Sequence, residues 1–116
     1  MNTLPLPPVP QKVRNILKEY PEKIQKLQDI LSGYFKNPNP VMPFDGAVWI
    51  LEDALASFIS EARYELKVAE SSGDPEVIRR AEEKEKVMHY ARSGNRGMSD
   101  LNELLEYIEA HKEMLS

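Results

Sequence analysis

Residues 45–69 read DGAVWILEDALASFISEARYELKVA, and apolar side chains recur in them at intervals of three or four. The recurring set is Val48, Leu51, Leu55, Phe58, Ile59, Ala62, Leu66 and Ala69. This period is that of one face of an α-helix, and a run of about seven turns is far too long for a strand. The pattern therefore predicts the central and most buried helix of the protein.

Both ends of this helix carry recognisable signals. Asp45 suits the N-cap, because its carboxylate can accept an amide N–H of the first turn. Ser71-Ser72-Gly73 follows the last apolar position and predicts the helix end. Trp49 lies next to the apolar stripe, so we expect it in the core or at its rim.

Two shorter helices are predicted upstream of residue 45. The first begins at Pro10 and has a stripe formed by Val13, Ile16, Leu17 and Tyr20. Pro21 interrupts it, because proline lacks an N–H and clashes with the preceding turn, and begins a second helix. The second stripe consists of Ile24, Leu27, Ile30 and Leu31, and Gly33 is the expected stop.

Two helices are predicted downstream. Asp74-Pro75-Glu76 is a start signal for a charged helix that runs to about Ser93 and lies on the outside. Its charges are spaced for ion pairs, namely Glu76–Arg80, Arg79–Glu83 and Glu82–Lys86. Ser99 or Asp100 caps the last helix, whose inner face is Leu101, Leu104, Leu105, Ile108 and Leu115. The fold class is therefore all-α, a single-domain antiparallel bundle of four to five helices over residues 1–116.

Two proline-rich segments interrupt the helical pattern. Residues 1–10 form an extended strap, which either binds an aromatic groove through its PxxP spacing or packs on the core through Leu4, Leu6 and Val9. Residues 34–44 form an apolar loop, which either closes over the core or faces a partner. In the second case the loop and strap would make a homodimer seam.

The composition argues against several classes of function. The absence of cysteine excludes disulfides and thiolate sites, and the longest apolar run, residues 47–51, is far shorter than the roughly 20 residues that span a bilayer. The first residues lack the basic start of a secretory signal, so we expect a cytoplasmic protein with no membrane contact. A net charge of −4 argues against a nucleic-acid partner, since a basic surface normally supplies most of that affinity.

No residue pattern indicates an enzyme. Glu61 and Glu65, like Glu85 and His89, share a helix face, but no matching ligand set occurs on another helix, so we expect surface charges and no metal. Nucleophile and nucleotide-binding motifs are absent, so no catalytic activity and no cofactor are expected.

Residues 92–97 are a candidate anion site. Arg92 and Arg96 flank Gly94 just before a helix, and arginines with turned backbone amides can hold phosphate or a nucleotide. The alternative is a helix–helix turn in which Gly94 follows the end of the preceding helix.

The charge distribution supplies the main hypothesis. Residues 1–99 are electrically balanced, and the last helix carries the net charge through Asp100, Glu103, Glu106, Glu109 and Glu113, against Lys112 alone. This acidic face, with Tyr107 or Tyr34 as an aromatic anchor, would bind a basic protein partner. The alternative is a surface that only keeps the protein in solution.

These observations favour a small, acidic, non-enzymatic interaction protein. It is of the same general type as immunity proteins and antitoxins that mask a basic nuclease, an analogy of kind that no residue motif supports. The alternatives are a structural helical protein that self-associates through residues 34–44 and, more weakly, a phosphate-binding protein.

Overall fold

The computed structural model describes residues 5–115, with side chains as far as Glu113, and none of these residues forms a strand. Five helices and one terminal turn of helix follow in chain order. They are α1 (Gln11–Ile16), α2 (Pro21–Tyr34), α3 (Pro43–Ser72), α4 (Pro75–Arg92), α5 (Asn102–Ala110) and the single turn α6 (Lys112–Leu115). A 3₁₀ turn at Gly97–Ser99 precedes α5. The all-α prediction is confirmed.

Helices α3 and α4 form a long antiparallel hairpin and make the most extensive interhelix contact. Gly73 ends α3 in the left-handed conformation, with φ of 71°, which glycine adopts without steric cost. Asp74 then caps α4 by accepting the amide N–H of Glu76 at 3.0 Å. Both signals were predicted, because each depends on local stereochemistry alone.

The remaining helices cover only one end of this hairpin. α1 packs on α4 and the 3₁₀ turn, α2 packs on α3, and α5 lies against the start of α3. The largest fully buried side chains include Phe58, Leu51, Leu55, Leu17, Leu27, Leu31, Met88 and Leu104. Residues 63–86, which we call the distal hairpin, contribute nothing to this central cluster, and Ala69 is the one buried apolar side chain among them. The molecule is accordingly elongated, measuring 55 × 25 × 22 Å.

The predicted break at Pro21 is confirmed, but two other predicted helix ends are wrong. α2 continues past Gly33 to Tyr34, since an exposed glycine without positive φ does not force an end. α3 begins at Pro43, so Asp45 lies in the first turn and is not the N-cap. Proline is favourable at the first helical position, and it starts the helix three residues earlier than an Asp45 N-cap would.

Of the two positions expected for Trp49, core and rim, the structure excludes the core. Its side chain is 51% exposed, so it is not a core residue. Ala47, Leu51 and Leu55 define the buried face of α3, and Trp49 is rotated by about 200° from Ala47 around the helix axis.

The N-terminal strap is packed on the bundle. Pro7, Val9 and Pro10 are buried, and Gln28 donates a hydrogen bond to the Pro7 carbonyl at 2.7 Å. The predicted core contact of Val9 is confirmed. Leu6 is 72% exposed, which contradicts its predicted burial, and Leu4 lies outside the described residues.

The loop between α2 and α3 is shorter than predicted, because the helices take residues 34, 43 and 44. Phe35 is buried and contributes to the core. Val41, by contrast, is 83% exposed. The segment therefore covers the core at its start and is exposed to solvent at its end.

The inner face of α5 differs from the prediction at one position. Leu104 and Ile108 are buried and Leu101 is partly buried, whereas Leu105 is exposed. The predicted inner contact of Leu115 concerns a side chain outside the described range. Among the described residues no helix is long and apolar enough to cross a membrane.

Candidate functional site

Glu103 and Asp100, two of the predicted acidic residues, shape the fold through contacts within the protein. Glu103 accepts the backbone N–H of Gln11 at 2.8 Å and pairs with Arg14 at 3.3 Å. It thereby holds the N-terminus of α1, where Pro10 gives no side-chain cap. Asp100 accepts the N–H of Asn102 at 3.1 Å and shapes the start of α5.

Glu106 and Glu109 remain as the outward-facing acids of α5. Both are exposed, and neither has a salt-bridge partner among the described residues. Glu113 is exposed as well and lies in α6. The acidic surface is therefore smaller than the sequence suggests. We call Glu106 and Glu109 the acidic patch.

The two predicted aromatic anchors are structural. Tyr107 is only 7% exposed, donates a hydrogen bond to the Pro5 carbonyl at 2.8 Å and stacks on His111. Burial raises the pKa of its phenol. Tyr34 donates to the Pro43 carbonyl at 2.8 Å and accepts the N–H of Asn39 at 3.2 Å, which fixes the loop. Tyr107 is thus not an exposed anchor, since its ring packs between Phe35 and His111 and its hydroxyl bonds to the strap.

The arginines of residues 92–97 have partners within the protein. Arg92 donates to the Glu52 carbonyl at 3.2 Å, and the guanidinium of Arg96 lies 4.2 Å from the ring centre of Tyr90. Gly94 does not adopt the left-handed conformation that often follows a helix end. The segment forms a turn that returns the chain from α4 to α5.

The carboxylates considered as metal ligands form ion pairs. Glu61 pairs with Lys23 at 2.7 Å and Glu65 with Lys84 at 2.9 Å. The hydrogen bond from Lys23 holds the pKa of Glu61 below its ordinary value. Within residues 5–113 no group of three or more acidic or histidine side chains is arranged to hold a metal ion.

The sequence did not point to the most distinctive surface, an open groove between the distal parts of α3 and α4. Its volume is about 500 Å³ and its lining is mainly apolar. The residues that line it are Tyr20, Glu65, Val68, Ala69, Ser72, Val77, Arg79, Arg80, Ala81, Glu83 and Lys84. We call this surface the α3–α4 groove. Val68 is 54% and Val77 42% exposed, although both lie on its apolar wall.

The groove lies along the same face of α3 that α2 covers nearer the core. Phe58, Glu61, Glu65, Val68 and Ser72 follow one another at helical spacing on one face of α3. Lys23 of α2 covers the first two, with its ammonium 4.7 Å from the ring centre of Phe58 and bonded to Glu61. Beyond the corner at Tyr20 no described segment covers the same face.

The charges at the groove are unevenly satisfied. Arg79 and Arg80 both bond to Glu76, at 2.7 and 3.2 Å, so two cations share one carboxylate. The predicted pair Arg79–Glu83 does not reach salt-bridge distance, and Glu83 has no salt bridge within the described part of the chain. The pKa of Arg79 is raised mainly by its hydrogen bond to Glu76 and to a smaller extent by the charge of Glu83. Burial and the nearby charge of Glu83 raise the pKa of Tyr20. The groove thus has two guanidinium groups that share one carboxylate near one end and, further along, a carboxylate without a salt bridge among the described residues.

Two sequence features could have indicated the groove. Val68 adds an apolar position next to Ala69 in the α3 stripe. A helix that is covered on one side only does not need this additional apolar position. The stripe of α4 is thin, so this helix cannot by itself cover the face of α3.

Comparisons with protein-family models, with curated protein sequences and with solved structures gave no match.

Proposed function

We propose that this protein is a non-enzymatic interaction module that binds one amphipathic helix of another polypeptide chain in the α3–α4 groove. The observation that carries this proposal is the uncovered apolar wall formed by Val68 and Val77. Two helices alone cannot bury their facing sides, so a hairpin of this kind is completed by a third element.

The course of the groove favours a helix as the bound element. The face of α3 that runs through Glu65 and Val68 is covered by α2 one turn earlier. A helix entering beyond Tyr20 would continue that layer with the same packing geometry. About two turns of helix fill the distance from Glu65 to Ser72.

The charges define the chemistry of the partner. Its apolar face must be flanked by an acidic group for the guanidinium groups of Arg79 and Arg80, which share one carboxylate, and by a basic group for Glu83. Exposed pairs of this kind add little affinity but fix orientation and register. Burying the exposed parts of Val68 and Val77 contributes roughly 1 kcal/mol each.

A second candidate function is favoured by the acidic patch. Glu106 and Glu109 face solvent without salt-bridge partners among residues 5–113, as a surface that docks a basic protein requires. In this case the protein would be an inhibitor that masks its partner electrostatically. The same experiment separates the two candidates.

The test is photo-crosslinking in the native host with benzoylphenylalanine in place of Val68. The matched control carries the same group in place of Val41, which is exposed on the distant loop. We expect an adduct at position 68 and none at 41. The Val77→Asp change should abolish the adduct, and an aspartate in the first turn of α4 is compatible with the helix dipole.

The charge variant Glu106→Lys/Glu109→Lys provides the opposing control. If the groove is the docking surface, this variant keeps the adduct at position 68. Loss of the adduct in the charge variant, together with retention in Val77→Asp, would favour the acidic patch and contradict the groove. Equal labelling at positions 41 and 68 would also contradict it.

A further inference from the structure

The partner of the α3–α4 groove can be named from the charges that the groove leaves unsatisfied. We propose that it is a second copy of this chain, with the start of α4 from each copy lying in the groove of the other about a two-fold axis. This inference rests on the proposed function and specifies the polypeptide that supplies the helix.

The start of α4 has the properties required of the bound helix. Val77 and Ala81 lie one turn apart and present a small apolar surface, which allows close approach of a second helix. Arg80 and Glu83 flank that surface on the same side of α4 and both line the groove. The start of α4 thus lines the groove of its own chain and also has the properties needed to occupy the groove of a second chain.

The charge pattern is self-complementary in an antiparallel arrangement. Arg80 and Glu83 are three residues apart, which is about 4.5 Å along the helix axis. A two-fold axis near Ala81 places Arg80 of one copy beside Glu83 of the other, and the symmetry repeats the pair. Arg80, which shares Glu76 with Arg79, and Glu83, which has no salt bridge among the described residues, then each gain a direct partner of opposite charge. An unrelated helix would have to carry this combination independently.

The shape of the molecule permits this contact. The distal hairpin, residues 63–86, contributes no member of the core and extends the molecule to 55 Å. Two such hairpins can pair side by side as an antiparallel four-helix arrangement. The helices that cover the other end of α3 need not move.

Sedimentation equilibrium of the full-length protein, from low micromolar to several hundred micromolar, tests the proposal. We expect a concentration-dependent dimer of the wild-type chain. Arg80→Glu and Glu83→Arg should each raise the dimer Kd at least about tenfold, because each places like charges opposite one another twice. Lys86→Glu makes the same charge change as Arg80→Glu on an exposed α4 residue outside the groove and should leave Kd unchanged.

Mixing the two charge-reversed variants gives the sharper result. Arg80→Glu and Glu83→Arg should form a heterodimer with each other, since every opposed pair is then again of opposite sign. The doubly changed chain, Arg80→Glu/Glu83→Arg, should recover the dimer by itself. Circular dichroism confirms that each variant keeps its helices, so a lost dimer is distinguished from a lost fold.

Three results overturn the inference. A wild-type chain that stays monomeric while position 68 still crosslinks to a different protein excludes the second copy and preserves the proposed function. Absence of any adduct at position 68 excludes both. A dimer that is insensitive to Arg80→Glu and Glu83→Arg but lost in Val41→Asp places the seam on the loop between α2 and α3.

Discussion

Glu103 fastens the start of α1 with both of its carboxylate oxygens. Oε1 accepts the N–H of Gln11 and Oε2 pairs with Arg14. A helix of six residues is unstable by itself, and α1 has no local side-chain cap. The carboxylate that completes it therefore comes from the other end of the chain.

We expect Glu103→Gln to lower the free energy of unfolding by about 1 kcal/mol, as the loss of a helix cap does. The amide keeps one acceptor oxygen but loses the charge that pairs with Arg14. Urea denaturation measures the change. Glu106→Gln is the matched control and should alter stability by less than about 0.5 kcal/mol, because its carboxylate is exposed. Equal effects of the two substitutions would contradict the assigned role.

The sequence could not distinguish Glu103 from Glu106 and Glu109. All three lie away from the apolar stripe of α5, and helical spacing describes only the helix to which it applies. The difference arises because Glu103 reaches Gln11 and Arg14 of α1, a contact between distant parts of the chain. Contacts with Pro5 and Phe35, also distant in the chain, explain why Tyr107, which appeared available on a single helix, is buried.

At the level of elements, the passage from α4 to α5 depends on a close approach of two backbone segments. A Cβ atom at Gly97 would lie 2.1 Å from the carbonyl oxygen of Ala91, which is fixed in the last turn of α4. A Cβ atom at Gly94 would meet nothing within 4 Å. Two glycines of the same turn therefore have opposite tolerance.

Gly97→Ala should destabilise the protein by about 2–3 kcal/mol, because the 3₁₀ turn must move away from α4. Gly94→Ala should be neutral or stabilise it by up to about 1 kcal/mol, since it restricts the unfolded chain at a position without positive φ. Chemical denaturation of both variants provides the comparison. A Gly97→Ala variant as stable as Gly94→Ala would show that this contact is not maintained in solution.

Element boundaries were predictable where one residue dictates the backbone. Pro21 and Asp74-Pro75 set helix starts, and Gly73 sets an end, in agreement with the sequence. The prediction of Asp45 as the N-cap was wrong because Pro43 is an equally good helix start nearby, and local sequence rules do not rank the two. The groove escaped prediction for a different reason: it depends on which length of α3 the other helices cover.

For the whole molecule, stability should decrease along the hairpin. The core includes Leu51, Leu55 and Phe58 in α3 but no residue of the distal hairpin. The distal hairpin has few buried contacts, so a smaller free energy is needed to open its backbone hydrogen bonds locally. Tertiary structure thus divides one continuous helix into a rigid part and a more easily opened part.

Hydrogen exchange measures this gradient. At low protein concentration we expect amides of the distal hairpin to exchange at least about tenfold faster than those around Leu55. If the proposed dimer forms, raising the concentration should slow exchange at the start of α4 and leave the amides of α5 unchanged. Uniform protection along α3 would contradict the gradient, and protection independent of concentration would contradict the dimer.

The 30-residue length of α3 has an evolutionary consequence. Mutations near its start disturb the core, whereas positions of α3 beyond residue 62 contribute nothing to the core cluster and can change without disturbing it. If the tip binds a partner as proposed, its specificity can therefore change while the same scaffold is inherited. Grafting a foreign hairpin onto the base, in register with whole helical turns, would be the laboratory counterpart of that process.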